Sequence, residues 1–150
     1  MKALGIIIML SITTVLYGQQ RDETYHWLEA CDSLFTQADL NNCTYNEFKK
    51  ADSLMTSVYN NLISLIGESI KEIESKDFPD KEYKDWYSRL RNSIITSQEQ
   101  WVKLRDSNSN IINIQYEDGS MRRMAINISA TDDTYIRIKK LKEIMYMINK

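Results

Sequence analysis

Two long stretches of helical periodicity, separated by one proline, constrain the fold of this chain more than any other feature. From about Tyr45 to Ser75, apolar side chains recur at three- and four-residue steps, as they do on one face of an α-helix. The segment Asp77-Phe78-Pro79-Asp80 interrupts this pattern, because proline disfavours helical geometry in the residue before it. A second pattern, with a seven-residue apolar repeat, extends from about Lys81 to Tyr116. Two long helices joined by a tight turn are expected to pack antiparallel.

The remainder of the chain predicts one further helix and an irregular N-terminal segment. Glu117-Asp118-Gly119 ends the second helix, since glycine suits a left-handed C-cap. The less regular stretch from Ser120 to Thr131 is expected to be a loop, and Asp132 or Asp133 to cap a third helix through Ile148. Residues 21–42 are expected to form a short helix and a loop. The predicted fold class is therefore all-α, a long antiparallel helical hairpin with a third C-terminal helix.

The first residues indicate export. Lys2 provides a positive start, an apolar run follows from Leu4 to Leu16, and Gly18 offers a small residue at the point of cleavage. A retained membrane anchor is the alternative, but the run is shorter than the roughly 20 residues that span a bilayer, and no basic cluster follows it. We therefore predict a signal peptide over residues 1–18 and a single domain over residues 19–150, either periplasmic or secreted. A membrane contact is expected only through the signal segment, if it is uncleaved.

Charge and cysteine content narrow the class of protein. Without the predicted signal peptide, which contains Lys2, the chain has 18 Lys and Arg and 21 Asp and Glu, a formal net charge of −3. No basic stripe is present, so a nucleic-acid partner is not expected. Cys31 and Cys43 predict a disulfide in an exported chain, with two free thiols as the alternative. The single histidine, His26, and the lack of Cys-x-x-Cys argue against a metal site, and no cofactor is indicated.

The stretch around Trp101 carries unusual chemistry for a helix face. Gln98, Trp101 and Arg105 share one face of the second helix, where a plain core would carry leucine. A buried guanidinium needs a partner, so this face is either a structural lock or part of a binding surface. If the hairpin turns near Phe78, the numbers of facing residues sum to about 156, which predicts three facing pairs: Asp52 with Arg105, Met55 with Trp101, and Tyr59 with Gln98. This register favours the structural lock.

Catalysis is not predicted. Several carboxylates lie on the predicted helices, where exported acidic proteins carry such residues routinely: Asp52, Glu82, Asp85, Glu99 and Asp106. No serine has a nucleophile motif or a histidine partner. Aromatic residues suggest a carbohydrate-stacking platform, but most have core spacing, which favours packing: Tyr25, Trp27, Tyr83, Trp86, Tyr87 and Trp101.

Three motifs resemble one known family. Thr36-Gln37-Ala38-Asp39-Leu40-Asn41-Asn42-Cys43 is similar to its Thr-Gln-Ala-Glu-Met-Asn-x-Cys motif, and Ala51-Asp52-x-Leu54-x-x-x-x-Tyr59 resembles its Ala-Asp-x-x-Leu-Asn-x-x-Tyr helix. Gln98-x-x-Trp101-x-x-x-Arg105-Asp106 is similar to its signature Gln-x-x-Trp-x-x-x-Arg-Asp. The family is the lysozyme inhibitor LprI-like N-terminal domain, a small exported helical module of bacteria. The resemblance covers about Cys31 to Met145.

Two departures from this family concern its cysteines. Typical members carry a third cysteine where Ser109 stands and a fourth in the region of Ser129. Their joint absence implies that the family's second disulfide is missing and that Cys31–Cys43 is the remaining bridge. The predicted loop from Ser120 to Thr131 is then expected to be more mobile than in typical members.

The resemblance implies a protein-binding function rather than an enzymatic one. We expect an exported, non-catalytic module with a protein partner, a lysozyme inhibitor acting on an envelope or host muramidase. The alternative is an accessory envelope-interaction domain without inhibitory activity; an envelope hydrolase is less supported. The charge of Arg122 and Arg123 suggests that the loop carrying them contacts the carboxylates of a muramidase cleft.

Overall fold

Three helices make up the fold of residues 29–149, the part of the chain that the structure, a computed structural model, describes. They are α1 (Gln37–Glu74), α2 (Lys81–Gln115) and α3 (Arg122–Ile148), and no strand occurs in this part of the chain. A short 3₁₀ turn at residues 29–31 precedes α1. The predicted all-α class, with its hairpin, third helix and disulfide-tied N-terminal segment, is confirmed. The predicted signal peptide lies outside the described residues.

The connection between α1 and α2 follows from local sequence signals. Asp80 accepts a hydrogen bond from the backbone N–H of Tyr83 at 2.9 Å and so caps α2 at its N-terminus. On either side of the turn, Lys84 and Glu74 form an ion pair of 2.6 Å, which places the end of α1 beside the start of α2. Both bounds predicted for α2 agree with the structure within one residue.

Helix α1 begins earlier than the apolar pattern predicted. Thr36 is its N-cap and accepts a hydrogen bond from the backbone N–H of Asp39 at 3.1 Å. Cys43 therefore lies inside the helix, and the disulfide ties the 3₁₀ turn to its second turn, with Cα atoms of Cys31 and Cys43 5.9 Å apart. The prediction that the short helix and loop before α1 extend to residue 42 was wrong, because the first turns of α1 bury Thr44 and Cys31 instead of large apolar side chains.

Helix α3 also begins earlier than predicted. It starts at Arg122, so the expected loop from Ser120 to Thr131 is wrong and Asp132 and Asp133 lie within the helix. Met121, the residue at the N-cap, makes no side-chain capping bond, so the local sequence gives no start signal. The buried stripe of this helix begins with small or polar residues that do not produce an apolar pattern: Ala130, Thr131 and Thr134.

The core lies where α3 packs along the other two helices, more extensively against α1 than against α2. Its centre contains fully buried aliphatic side chains from α1 and α3, Leu62, Ile66 and Leu141, with Ile94 contributed by α2. The small side chains of α3 allow a close approach to α1. None of the three helices combines the length and apolar character that crossing a membrane requires; this applies to residues 29–149.

Candidate functional site

The guanidinium of Arg105 is the centre of a polar cluster between α1 and α2. Arg105 is 9% exposed, and its Nη1 donates a hydrogen bond to Oδ1 of Asp52 at 2.7 Å. Nε and Nη2 both donate to Oδ1 of the adjacent Asp106 at 3.3 Å. The pairing of Arg105 with Asp52 that the hairpin register predicted is thus present. Two carboxylates compensate the buried charge, as a desolvated guanidinium requires.

Two aromatic rings, those of Trp101 and Phe48, also lie against the guanidinium of Arg105. The Cζ atom of Arg105 lies 5.0 Å from the ring centroid of Trp101 and 5.4 Å from that of Phe48. Both distances are within the range of a cation–π interaction, which strengthens when the cation is shielded from water. Phe48 was not predicted as part of this cluster, although it lies one turn before Asp52 on α1, as the helical spacing would allow.

Gln98 connects all three helices. Its Nε2 donates to the sulfur of Met55 on α1 at 2.9 Å, and its Oε1 accepts from Nε of Arg137 on α3 at 2.9 Å. The register predicted that Tyr59 faces Gln98; the hydrogen bond of Gln98 to α1 is made with Met55, one turn earlier. The side-chain amide is well suited to this position because it has both donors and an acceptor.

Arg137 supplies a second cation beside Trp101, with its Cζ atom 5.9 Å from the ring centroid. Burial lowers the pKa of Arg137 from its usual value, an effect that the neighbouring Tyr59 opposes. The guanidinium stays charged at neutral pH, because the pKa of arginine is far above that range. We call the set Asp52, Gln98, Trp101, Arg105 and Arg137 the arginine cluster. Every member is bonded or stacked within the protein, so the cluster holds the three helices together.

The N-terminal motif also acts on a distant helix. Oδ1 of Asn41 on α1 accepts from the backbone N–H of Met124, the third residue of α3, at 3.1 Å. Nε2 of Gln37 supports the same carbonyl oxygen at 3.1 Å and lies 3.8 Å from the sulfur of Met124. In the opposite direction, Nδ2 of Asn127 on α3 donates a hydrogen bond to the backbone oxygen of Asn41 at 3.3 Å. Asn41 therefore caps α3 through a tertiary contact, a role that the sequence did not reveal.

Arg122 and Arg123 lie in the first turn of α3 rather than in a loop. They adjoin the exposed turn of residues 116–121, and we call residues 116–123 the α2–α3 corner. Arg122 donates from Nη1 to the backbone oxygen of Glu117 at 3.0 Å, which fixes the turn. Arg123 is exposed and, with Asn41, Glu117 and Asp118, borders a shallow polar pocket. The corner thus presents a cation beside two carboxylates on a well-supported turn.

The chain matches the profile of the family described as Lysozyme inhibitor LprI over residues 29–141. It belongs to the LprI family. It is also 24% identical, over 115 residues, to an uncharacterized protein of Rhizobium meliloti (strain 1021), an alignment that covers 77% of this chain and 78% of that protein. No solved structure matches the chain significantly.

The LprI match contains the arginine cluster, the disulfide and the α2–α3 corner. It ends at Leu141, a fully buried residue of α3. Several positions that carried the resemblance to the family join helices in the structure, among them Asn41, Asp52, Gln98 and Arg105. Among residues 29–149, no three His, Cys, Asp or Glu side chains lie close enough together to hold a metal ion.

Proposed function

We propose that this LprI-family chain is an exported, non-catalytic module, periplasmic or secreted, that binds and inhibits a muramidase of the envelope or of a host. The observation that carries the proposal is the family match over residues 29–141. The geometry is consistent with binding rather than catalysis, since the conspicuous polar residues are engaged in helix packing.

The α2–α3 corner is the surface that we propose for the contact. A muramidase works through two carboxylates in its cleft, and a guanidinium is the side chain best suited to bind a carboxylate. Arg123 is exposed at the corner, whereas Arg122 is committed to the backbone of Glu117. We therefore assign to Arg123 the contact with the cleft and to Arg122 the support of the turn. Glu117 and Asp118 would meet the basic surface of a cationic lysozyme.

A lysis assay tests the inhibition directly. Purified chain comprising residues 19–150 is titrated against several structural types of lysozyme, with clearing of a cell-wall suspension as the readout. We expect slowed lysis with at least one type at micromolar concentration. If no lysozyme type is slowed while a protein is captured from a periplasmic extract, the accessory-domain alternative replaces inhibition.

Matched arginine variants test the surface. Because truncating a buried interfacial charge costs about 2–5 kcal/mol, we expect Arg123→Ala to weaken inhibition at least about thirtyfold. Arg89→Ala is the control, since Arg89 is an exposed arginine of α2 away from the corner. Circular dichroism must show the same thermal unfolding for both variants. Equal inhibition by Arg123→Ala and Arg89→Ala would contradict the assignment of the corner even if inhibition itself is observed.

A further inference from the structure

Two aromatic rings near the N-terminus of α2 are exposed next to each other. Tyr83 is 53% exposed and Trp86 is 43% exposed, and their rings are nearly parallel, with 9° between the planes and centroids 6.0 Å apart. Such an offset parallel arrangement presents two ring faces in the same direction. We call Tyr83 and Trp86 the aromatic pair. The core packing that the spacing of the aromatic residues favoured is found at Tyr87, which is 6% exposed, but not at the aromatic pair.

Tyr87 fixes the orientation of the aromatic pair from the side of the core. Its ring belongs to the hydrophobic core and meets the rings of Tyr83 and Trp86 edge-on, with centroids 5.1 Å and 4.9 Å away. A hydrogen bond with Tyr87 also raises the pKa of Tyr83 above its usual value. Aromatic side chains have few rotatable bonds, so a pair held in this way loses little further entropy when it binds a ligand.

The chemistry around the aromatic pair is suited to a sugar chain. Pyranose units with equatorial substituents have flat faces of C–H groups, which stack on aromatic rings through dispersion and through the negative ring face. Successive units of a β-1,4-linked chain follow one another at a spacing comparable to the 6.0 Å between the two centroids. Glu82 and Ser93, both exposed, lie one turn before and two turns after Trp86 on the same face of α2 and can bond to sugar hydroxyl groups.

The size of the aromatic pair argues against a protein face as its occupant. Each partner in a stable protein interface contributes about 800 Å², far more than two half-exposed side chains cover. Two rings are instead enough to hold two sugar units, one on each ring.

We propose that the aromatic pair binds a β-1,4-linked chain of N-acetylated amino sugars, the glycan strand of a cell wall. The choice of this polymer rests on the export proposed above, because the cell wall is the glycan of this kind that an exported bacterial module meets. It does not rest on inhibition of a muramidase. The helical rise from Trp86 to Gln115 places the aromatic pair roughly 45 Å along α2 from the α2–α3 corner, so the two surfaces are separate.

Titration calorimetry with chitohexaose, a soluble β-1,4-linked hexamer of N-acetylglucosamine, tests the site in the chain comprising residues 19–150. We expect Trp86→Ala to weaken binding at least about fivefold, the loss expected when an aromatic anchor is removed. Trp86→Phe keeps a ring and should retain most of the affinity. Tyr45→Ala is the matched control, since Tyr45 is 51% exposed in the third turn of α1, toward the opposite end of the hairpin. Sedimentation with purified cell-wall sacculi should rank the variants in the same order.

A spectroscopic measurement on the wild-type chain covers the case in which Trp86→Ala disturbs the fold. Chitohexaose should shift the NMR signal of the indole N–H of Trp86, which Trp86→Phe identifies by its loss, and leave the signal of Trp101 in the arginine cluster unchanged. An unshifted Trp86 signal at millimolar chitohexaose, or equal weakening of binding by Tyr45→Ala and Trp86→Ala, would overturn the proposal. A dimer that Trp86→Ala dissociates would overturn it in favour of a second copy on the aromatic pair.

The glycan site and the proposed inhibition can fail separately. Arg123→Ala should bind chitohexaose as tightly as the wild type does, because Arg123 lies at the α2–α3 corner. Inhibition that depends on Arg123 without any binding of chitohexaose would overturn the glycan site alone. Binding of chitohexaose that depends on Trp86, with no lysozyme type slowed, would support the glycan site and contradict inhibition.

Discussion

Replacement of Arg105 by alanine should destabilise the fold by about 2.5–4 kcal/mol. The charge-assisted hydrogen bond to Asp52 contributes about 1.5–3 kcal/mol at full burial, but the Asp52 side chain is 39% exposed and regains water when its partner is removed, so we take the lower half of that range. The rings of Trp101 and Phe48 add about 0.5–1 kcal/mol each. The total loss of stability is large because the Arg105 side chain is only 10% exposed, so its truncation to alanine leaves a cavity.

Arg105→Leu separates packing from charge at the same position. Leucine keeps apolar bulk between the two rings and introduces no unpaired buried group, so we expect it to cost less than alanine, about 1–2 kcal/mol. Arg89→Ala, an exposed arginine on the same helix, should change stability by less than about 0.5 kcal/mol.

Urea denaturation followed by circular dichroism measures all three variants. A loss of about 3 kcal/mol moves the midpoint by roughly 1–3 M urea, and the slope should stay constant if the unfolded state is unaffected. The reasoning would be refuted if Arg105→Ala lies within 0.5 kcal/mol of wild type, or if Arg105→Leu is the more damaging of the two.

Three further changes test contacts in other parts of the fold. Reduction of the Cys31–Cys43 bridge, whose partners are 12 residues apart, should lower stability by about 3 kcal/mol in the chain-entropy account, and an unchanged urea midpoint with dithiothreitol would contradict this. Asn41→Ala should cost about 1 kcal/mol and speed amide exchange in the first turn of α3, whereas the exposed Asn42→Ala should do neither. Thr134→Leu should overpack the fully buried contact of α3 and cost about 1–3 kcal/mol in thermal unfolding, while Thr96→Leu on the exposed side of α2 should be close to neutral.

The parts of the fold that could be predicted from sequence are those with local signals. Pro79, Asp80 and Gly119 mark the ends of α2 within a few residues of the positions that they control, and the structure agrees. The pairing of Asp52 with Arg105 followed from one turn position, because helical rise fixes the register over the whole hairpin.

The errors concern helix ends that are determined by distant residues. The N-terminus of α3 is capped by Asn41, which is 83 positions away from Met124 in the chain. Its buried positions carry Thr131 and Thr134, whose hydroxyls bond to backbone oxygens one turn back and so tolerate burial without an apolar side chain. A search for large apolar residues at helical spacing detects neither the cap from Asn41 nor the buried threonines.

The same contacts restrict where the candidate function can lie. Arg105 and Gln98 carry the resemblance to the LprI family, and each bonds to another helix of the same chain, away from the α2–α3 corner. Altering them should therefore change binding only through stability, in proportion to the loss of folded protein. Arg123 is exposed, and no interhelical hydrogen bond like those of Arg105 and Gln98 is described for it. Its replacement should therefore change binding without changing the free energy of unfolding. If Arg123 contacts the partner as proposed, the residues that carry the family resemblance and those that select the partner are separate, and comparing inhibition with the free energy of unfolding for Arg105→Leu and Arg123→Ala tests this.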